Sequence, residues 1–475
     1  MNHRPAPALR PLGRPLHALV GPVRGALATA HCRVVAACAA VLFLLCPAAA
    51  AAQPADGVWT LSDCIAYAID HNVALQQQAL GVESAELQLQ TSRLSRLPDL
   101  NASVGQGFGF GRSTDRIGQT VDRTSASTSF GVSTSVPLFT GFRIPNQVRA
   151  DEFSLRAATA QLEQARQDLS IAVTTYYLNA LYYRGLAAIA RSQLELHRAQ
   201  LRVADDLVAS GKRPASEHAT AQAQVAASEL ALTRAEGDEL LARLDLLQQL
   251  NLDDRQAPFT LAEPDTTTVA GDIPLPDAVF AMAAELHPAV LASRYQLEAQ
   301  RRQLDVARSA YFPQLSLSAS YSNSYYHTYR QENLPLADQL DLNGSEYIGL
   351  SLHIPLFNRF STRNSVRQAR LRIRSGEADL VRARQTLQKE IEQAYWNALT
   401  SRRNHAAARQ SAAAAVLAHA YEAERYAVGK ATATDLQSAR QALLKAEQDA
   451  LQAQYDYLMR LKILEFYNGA SGRTD

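Results

Sequence analysis

Residues 129–139 read Ser-Phe-Gly-Val-Ser-Thr-Ser-Val-Pro-Leu-Phe, and the closing Pro137-Leu138-Phe139 returns 218 positions later as Pro355-Leu356-Phe357. Phe130, Val132 and Val136 alternate with Ser129, Gly131, Ser133 and Ser135; ahead of the second motif Ile348, Leu350, Leu352 and Ile354 alternate with Gly349, Ser351 and His353. A period of two with one apolar face is the signature of a β-strand. The register extends well beyond the motif. Residues 136–181 and 354–399 share 18 identities in 46 ungapped positions, and the same offset carries Gly211-Lys212 onto Gly429-Lys430. Chance does not sustain one register so long, and the reading is a tandem internal duplication.

Each copy has one order of parts. A helical stretch opens at Leu61-Ser-Asp-Cys64 or Leu275-Pro-Asp-Ala278 and ends before Pro98 or Pro313. An earlier strand follows: Leu100, Ala102, Val104, Phe108 and Phe110 alternate with Asn101, Ser103 and glycines, and Leu315, Leu317, Ala319 and Tyr321 alternate with serines. Polar loops, 112–123 and 326–346, lead to the Pro-Leu-Phe strands. Then comes a helical stretch of about 69 residues (142–210 and 360–428), a Gly-Lys turn, and a returning helix (214–250 and 431–467). At 1.5 Å per residue the long stretch spans roughly 100 Å, far beyond an ordinary globular helix. Leu155, Leu162 and Leu169 fall seven apart, as do Leu194, Leu201 and Val208, and Leu436, Leu443, Ala450, Tyr457 and Leu464. These are coiled-coil seams. The two shorter helices flanking the 252–275 linker together match one long helix, which suggests end-to-end stacking beside it.

The chain of 475 residues carries 47 Lys and Arg against 46 Asp and Glu, with 47% hydrophobic residues, which excludes bulk disorder and gives no nucleic-acid signature. Residues 1–52 hold five arginines and no acid, and the apolar core Val34–Cys46 is followed by Pro47 and the run Ala48–Ala52. That pattern reads as a signal peptide cleaved near Ala52–Gln53. Cys32, Cys38 and Cys46 leave with it, so Cys64 has no intrachain disulfide partner. The domain boundaries are then a signal peptide at 1–52, a first repeat at 53–258, an equatorial linker at 259–274, a second repeat at 275–469 and a tail at 470–475.

Four strands with one apolar face suit a soluble half-buried sheet as well as a transmembrane barrel. The long helices leave nothing else for that face to pack on. Four strands cannot close a bilayer-spanning barrel, whose minimum is about eight, and an open edge in lipid leaves backbone groups unsatisfied. The chain must therefore associate. Three copies supply twelve strands, the width that matches a hollow tube of long helices.

With these features in place the chain resembles the TolC-type outer-membrane efflux channel family over essentially its whole mature length. The resemblance is carried by Leu61-Ser-Asp-Cys-Ile-Ala-Tyr-Ala-Ile-Asp-His-Asn72, the two Pro-Leu-Phe motifs, the turn Val428-Gly-Lys-Ala-Thr-Ala-Thr-Asp-Leu436, and the duplicated order. It implies a mixed α/β membrane protein: a homotrimer with one 12-stranded outer-membrane β-barrel, four strands per chain, continued by a long periplasmic α-helical coiled-coil barrel. It also implies a periplasmic adaptor (membrane fusion) protein and an inner-membrane RND or ABC transporter as partners, outer-membrane lipid around the barrel, and no cofactor or catalytic machinery. Gly211 and Gly429 then mark the tip turns, Lys212 and Lys430 are candidates for adaptor contact, and Glu217, Tyr426 and Asp435 match gate positions. The acids equally suit the N-termini of the returning helices, with Ser216 or Thr434 near the cap. Ser438 stands where a second gate acid is common, Ala431 where a basic gate partner is, and Arg359 in place of the glycine found at Gly141.

Gly105-Gln-Gly107-Phe-Gly109-Phe-Gly111 superficially resembles a dinucleotide loop, but its glycines alternate within a strand and open no helix. The histidines show no metal-ligand spacing, and no Ser/His/Asp set stands out. Tyr321, Tyr325, Tyr326, Tyr329 and Tyr347 are candidates for an aromatic girdle. The functional expectation is the exit duct of a tripartite efflux system for small toxic compounds, drugs or metal ions. The alternatives are the outer-membrane component of type I protein secretion and, from another class, a periplasmic structural coiled coil; an enzyme has the least support.

Overall fold

The computed structural model describes residues 57–114, 118–122, 124–252, 259–263 and 273–467. The expected signal peptide and the C-terminal tail lie outside the described residues, as does most of the linker.

The chain opens with β1 (Val58–Trp59), α1 (Leu61–His71) and α2 (Val73–Leu94). Asn72 breaks the first helical stretch in two: its backbone is extended, and its Oδ1 accepts from the N–H groups of Ala74 and Leu75 to cap α2. Next come β2 (Asp99–Gly109), a small hairpin of β3 (Arg112–Thr114) and β4 (Thr120–Asp122), and β5 (Ser125–Phe139). The long helix α3 (Arg143–Ala209) and returning helix α4 (Ala215–Leu250) complete the first half, and β6 (Thr260–Leu261) pairs in parallel with β1. The second half repeats the order with α5 (Pro276–Leu286), α6 (Pro288–Ser309), β7 (Gln314–Thr328), a short α7 (Leu336–Leu342), β8 (Ser345–His353), α8 (Ser361–Ala427) and α9 (Ala433–Tyr467). Both long helices have 67 residues.

The heptad residues are all buried or half-buried, so the seams expected from their spacing are the contact lines. Along α3 the partner changes with position. Arg191–Glu236 and Arg198–Glu229 ion pairs join its far part to α4, whereas Gln303 of α6 donates to Gln147 in its first turns. α4 and α6 thus cover successive lengths of one helix, in keeping with the stacking expected from their lengths. On another side, the Ser92 hydroxyl of α2 donates to Asp151.

The largest cluster of buried side chains lies at the equator, where Trp59, Cys64, Tyr177, Leu181, Leu246, Leu250 and Leu458 converge. The Tyr177 hydroxyl lies 2.6 Å from the Ala262 carbonyl and 3.1 Å from that of Trp59, and an Arg184 guanidinium donates to the Leu261 carbonyl at 2.8 Å. These bonds tie the β1–β6 strap to the middle of α3. Burial pushes the Cys64 thiol up to about 12, with the Asp63 charge adding to the effect.

β2, β5, β7 and β8 form one antiparallel sheet in that order. Directly opposed residues share a face, so Leu100, Ala102, Val104 and Phe108 line up with Phe130, Val132 and Val136, then with Leu315, Leu317, Ala319 and Tyr321, then with Ile348, Leu350 and Leu352. That face is uncovered: Val104 is 74% exposed and Ile348 78%. The other face is Ser and Gly, with Gly105, Gly107 and Gly109 opposite Ser129, Ser127 and Ser125. His353, opposite Gln314, lies on it as expected. The tyrosines are split: Tyr321 and Tyr325 lie on the apolar face, Tyr326 and Tyr347 on the Ser/Gly face. Among the described residues no helix is long and apolar enough to cross a membrane.

Candidate functional site

The residues expected at the tip occupy two turns of matching geometry. Gly211 and Gly429 have φ of +73° and +72°, a left-handed backbone that a side chain strains. In the first turn Gly211 N–H donates to Val208 and Lys212 N–H to Leu207; in the second Gly429 N–H donates to Tyr426 and Lys430 N–H to Arg425, all at 2.8–3.0 Å. Each turn is a Schellman C-cap satisfying two helix-end carbonyls. This leaves Lys212 and Lys430 exposed just past the turn, with no ion pair among the described residues. Tyr426 is half-buried one turn before.

The returning helices begin differently from one another, and Ser216 and Thr434 lie near the caps as expected, each two residues past the cap itself. Pro214, not Ser216, holds the cap position of α4 and makes no side-chain cap bond. Glu217 in its first turn accepts from Arg213 at 2.9 Å. At α9 the cap is Thr432, not Thr434: Thr432 N–H and Oγ1 both donate to Asp435 Oδ2 (3.0 and 2.7 Å), and Asp435 N–H donates back to Thr432 Oγ1 at 3.2 Å. This capping box holds the Asp435 carboxyl below the usual carboxylate range, the Thr432 backbone bond contributing most and Arg425 adding attraction. Arg425 itself donates to Glu422 at 2.6 Å and to the Lys430 carbonyl at 3.3 Å, bracing the turn from within. Sequence reasoning does not single out Arg213, Arg425 or Thr432, although Thr432-Ala-Thr-Asp435 is a legible capping-box pattern.

The Pro-Leu-Phe motifs sit where sheet becomes helix, but not identically. Pro137, Leu138 and Phe139 complete β5 across a bulge, whereas Pro355, Leu356 and Phe357 lie just beyond the end of β8. Leu356 and Phe357 are 92% and 74% exposed. Gly141 and Phe142 both adopt left-handed backbone before α3, and Arg359 and Phe360 repeat that conformation before α8. A Cβ on Gly141 would stand 2.6 Å from the Ser309 carbonyl oxygen. The turn before α3 therefore requires glycine there, and the turn before α8 holds an arginine in the same strained geometry.

A cavity of about 480 Å³ opens at the equator between α3, α6, α8 and α9, lined by Asp168, His287, Asp379, Arg382, Glu390 and Tyr467 among others. Arg382 is paired with Asp379. Burial raises Asp168, and burial together with the Asp168 charge raises Glu390; burial also lowers His287 and lifts Tyr467 to about 12. Among the described residues no group of His, Cys, Asp and Glu is arranged to hold a metal ion.

With this geometry established, the chain can be set beside known proteins. Residues 65–252 and 279–470 match the model of the outer membrane efflux protein family. The chain is 24% identical to the outer membrane efflux protein BepC of Brucella suis over 84% of its own length and 83% of that protein. It is likewise 24% identical to the alkaline protease secretion protein AprF of Pseudomonas aeruginosa, over 86% and 81% of the two chains. Its fold is similar to the CmeC outer membrane channel of Campylobacter jejuni, with a TM-score of 0.71 at 19% identity over 86% of this chain and 85% of that one. The two-part match takes in both strand pairs, both long helices and both tip turns, and the chain belongs to the outer membrane efflux protein family, a family of outer-membrane channels.

Proposed function

We propose that three copies of this chain form one outer-membrane exit duct, a 12-stranded barrel continued into the periplasm by a tunnel of the long helices. The observation that carries this reading is the β2–β5–β7–β8 sheet, apolar and uncovered on one face and unpaired at both edges among the described residues. In lipid each unpaired edge group costs several kcal/mol, so β2 of one copy must meet β8 of the next. A second surface supports association. Val73, Leu80, Leu87 and Leu94 fall seven apart on α2 and are 52%, 62%, 57% and 51% exposed, an unfilled seam on the side of α2 that α3 leaves free.

The tip turns are the docking points for a periplasmic adaptor, through the exposed Lys212 and Lys430. Glu217, Tyr426 and Asp435 are the gate. Arg213 already balances Glu217, so Asp435 contributes the larger share of negative charge at the entrance. The cargo is small toxic compounds, drugs or metal ions delivered by an inner-membrane pump, a reading supported by the word efflux in the family description and in the name of BepC. Protein secretion with an ABC transporter is the second reading, favoured by the similarity to AprF.

Photocrosslinking in cells from positions 212 and 430, with identification of the captured protein, tests the docking. An adaptor is the expected product, and the pump associated with it separates efflux from secretion. The detergent-extracted protein is expected at three times the chain mass, and a monomer would overturn the shared barrel.

A further inference from the structure

At the helical end of the sheet a second cavity, about 490 Å³, is lined by Arg308, Arg363, Arg367 and Arg370 together with Tyr311, Phe312 and Val366. Residues 361–376, the first turns of α8, hold five arginines and no acid, whereas the corresponding 143–158 of α3 hold three arginines with Asp151 and Glu152. Of the four lining arginines, Arg308 is balanced by Asp305 at 3.1 Å. Arg363 lies over the Phe360 ring at 5.7 Å, and Arg363, Arg367 and Arg370 are exposed with no ion pair among the described residues. Three guanidiniums thus face one recess without a counter-charge.

The recess adjoins the apolar face of the sheet. Phe139 is opposite Leu315 on that face, Phe142 packs edge-on against Phe139 (5.3 Å) and against Phe312 (6.4 Å), and Phe312 lines the cavity. An apolar surface, then an aromatic rim, then unpaired guanidiniums within about 15 Å of the strand ends, matches the order of acyl chain, interface and phosphate in a leaflet. The forked guanidinium donates to two oxygens of a phosphate at once.

We propose that this recess binds the phosphate headgroup of an anionic phospholipid in the periplasmic leaflet, its acyl chains lying along the apolar face of the sheet. The inference rests on the reading that this sheet spans the outer membrane. The lipid would neutralise the arginines at the junction of barrel and tunnel and fix the depth at which the helices leave the membrane.

The test is native mass spectrometry of the full protein released from vesicles of phosphatidylethanolamine containing phosphatidylglycerol. The wild-type protein is expected to retain phosphatidylglycerol preferentially. The preference should fall about fivefold for each guanidinium removed in the series R363Q, R363Q/R367Q and R363Q/R367Q/R370Q. R372Q, outside the recess, should leave it unchanged. Equal retention of both lipids by the wild-type protein, or an unaltered preference in the triple variant, would overturn the proposal while leaving the barrel intact. Loss of the oligomer in the triple variant, with lipid retained per copy unchanged, would show that the arginines pair with carboxylates of a neighbouring copy and would overturn it as well. A wild-type protein that does not enter vesicles would overturn the membrane-spanning sheet and this inference together.

Discussion

The side-chain amide of Gln339 pairs with both backbone groups of Tyr326: Tyr326 N–H donates to Gln339 Oε1 and Gln339 Nε2 donates to the Tyr326 carbonyl, each at 2.9 Å. β7 extends past the start of β8, and here its outer edge lacks a partner strand. Asn333 makes the same reciprocal pair with Thr328, and Asn343 donates to the Ser324 carbonyl at 2.7 Å. Three amide side chains, at alternate positions along β7, stand in for the missing strand and close an edge that would otherwise invite pairing.

Gln339→Ala removes three hydrogen bonds from a buried side chain, the third to the Leu334 carbonyl. A loss of about 2–3 kcal/mol of local stability is expected, since each net bond contributes roughly 1 kcal/mol. Limited proteolysis of the 329–344 loop measures it: the variant should be cut much faster there and no faster at the tip turns.

Gly141 and Arg359 should respond to substitution in opposite directions. Gly141→Ala adds a methyl against the Ser309 carbonyl and Phe312 at a left-handed φ, and a cost of about 2 kcal/mol or more is expected. Arg359→Gly relieves the same backbone geometry and should stabilise by up to about 1 kcal/mol. Thermal unfolding of the detergent-extracted protein reads both.

Glu390 should be a pH-dependent burden on the fold. Its carboxyl is raised in the folded state by burial and then by Asp168, so folding favours the protonated form. The cost is absent below the ordinary carboxylate range, grows as pH rises through the folded-state value and is complete above it. Glu390→Gln should therefore raise the melting temperature at neutral pH and lose that advantage in acid. An advantage that is the same at every pH would disprove the assignment.

At the tip, Asp435→Asn should lower cation selectivity in planar-bilayer recordings more than Glu217→Gln does. Glu217 is already balanced by Arg213, and Asp435 keeps its charge into acid because its carboxyl is held low by Thr432. Equal shifts of reversal potential would show that the local ion pair does not persist in the channel.

Much of the fold is legible in the order of the residues alone. The two-residue alternation of Phe130 and Val132 marks a strand, the seven-residue spacing of Leu155, Leu162 and Leu169 marks a seam, and Gly211 and Gly429 mark the ends of the long helices. These signals are local: each depends on residues within a turn or two of one another, where backbone periodicity alone decides which side chains share a face. The details at the tip are less legible. The spacing of Thr432 and Asp435 is that of a capping box, whereas the bonds of Arg213 to Glu217 and of Arg425 to the Lys430 carbonyl depend on the path the chain takes through each turn.

What the sequence by itself determined is the order of parts, their lengths, the single apolar face of each strand and the turns that carry the exposed lysines. The tertiary structure decided which strands become neighbours and which sheet edges stay open. It also decided that Gln339 replaces a strand, that Asp168 and Glu390 share one cavity, and that Arg308 joins three arginines of α8. The physical reason is distance along the chain. Helix and strand periods are set by neighbouring residues, whereas desolvation, charge clustering and edge pairing arise between groups far apart in sequence and exist only once packing has brought them together.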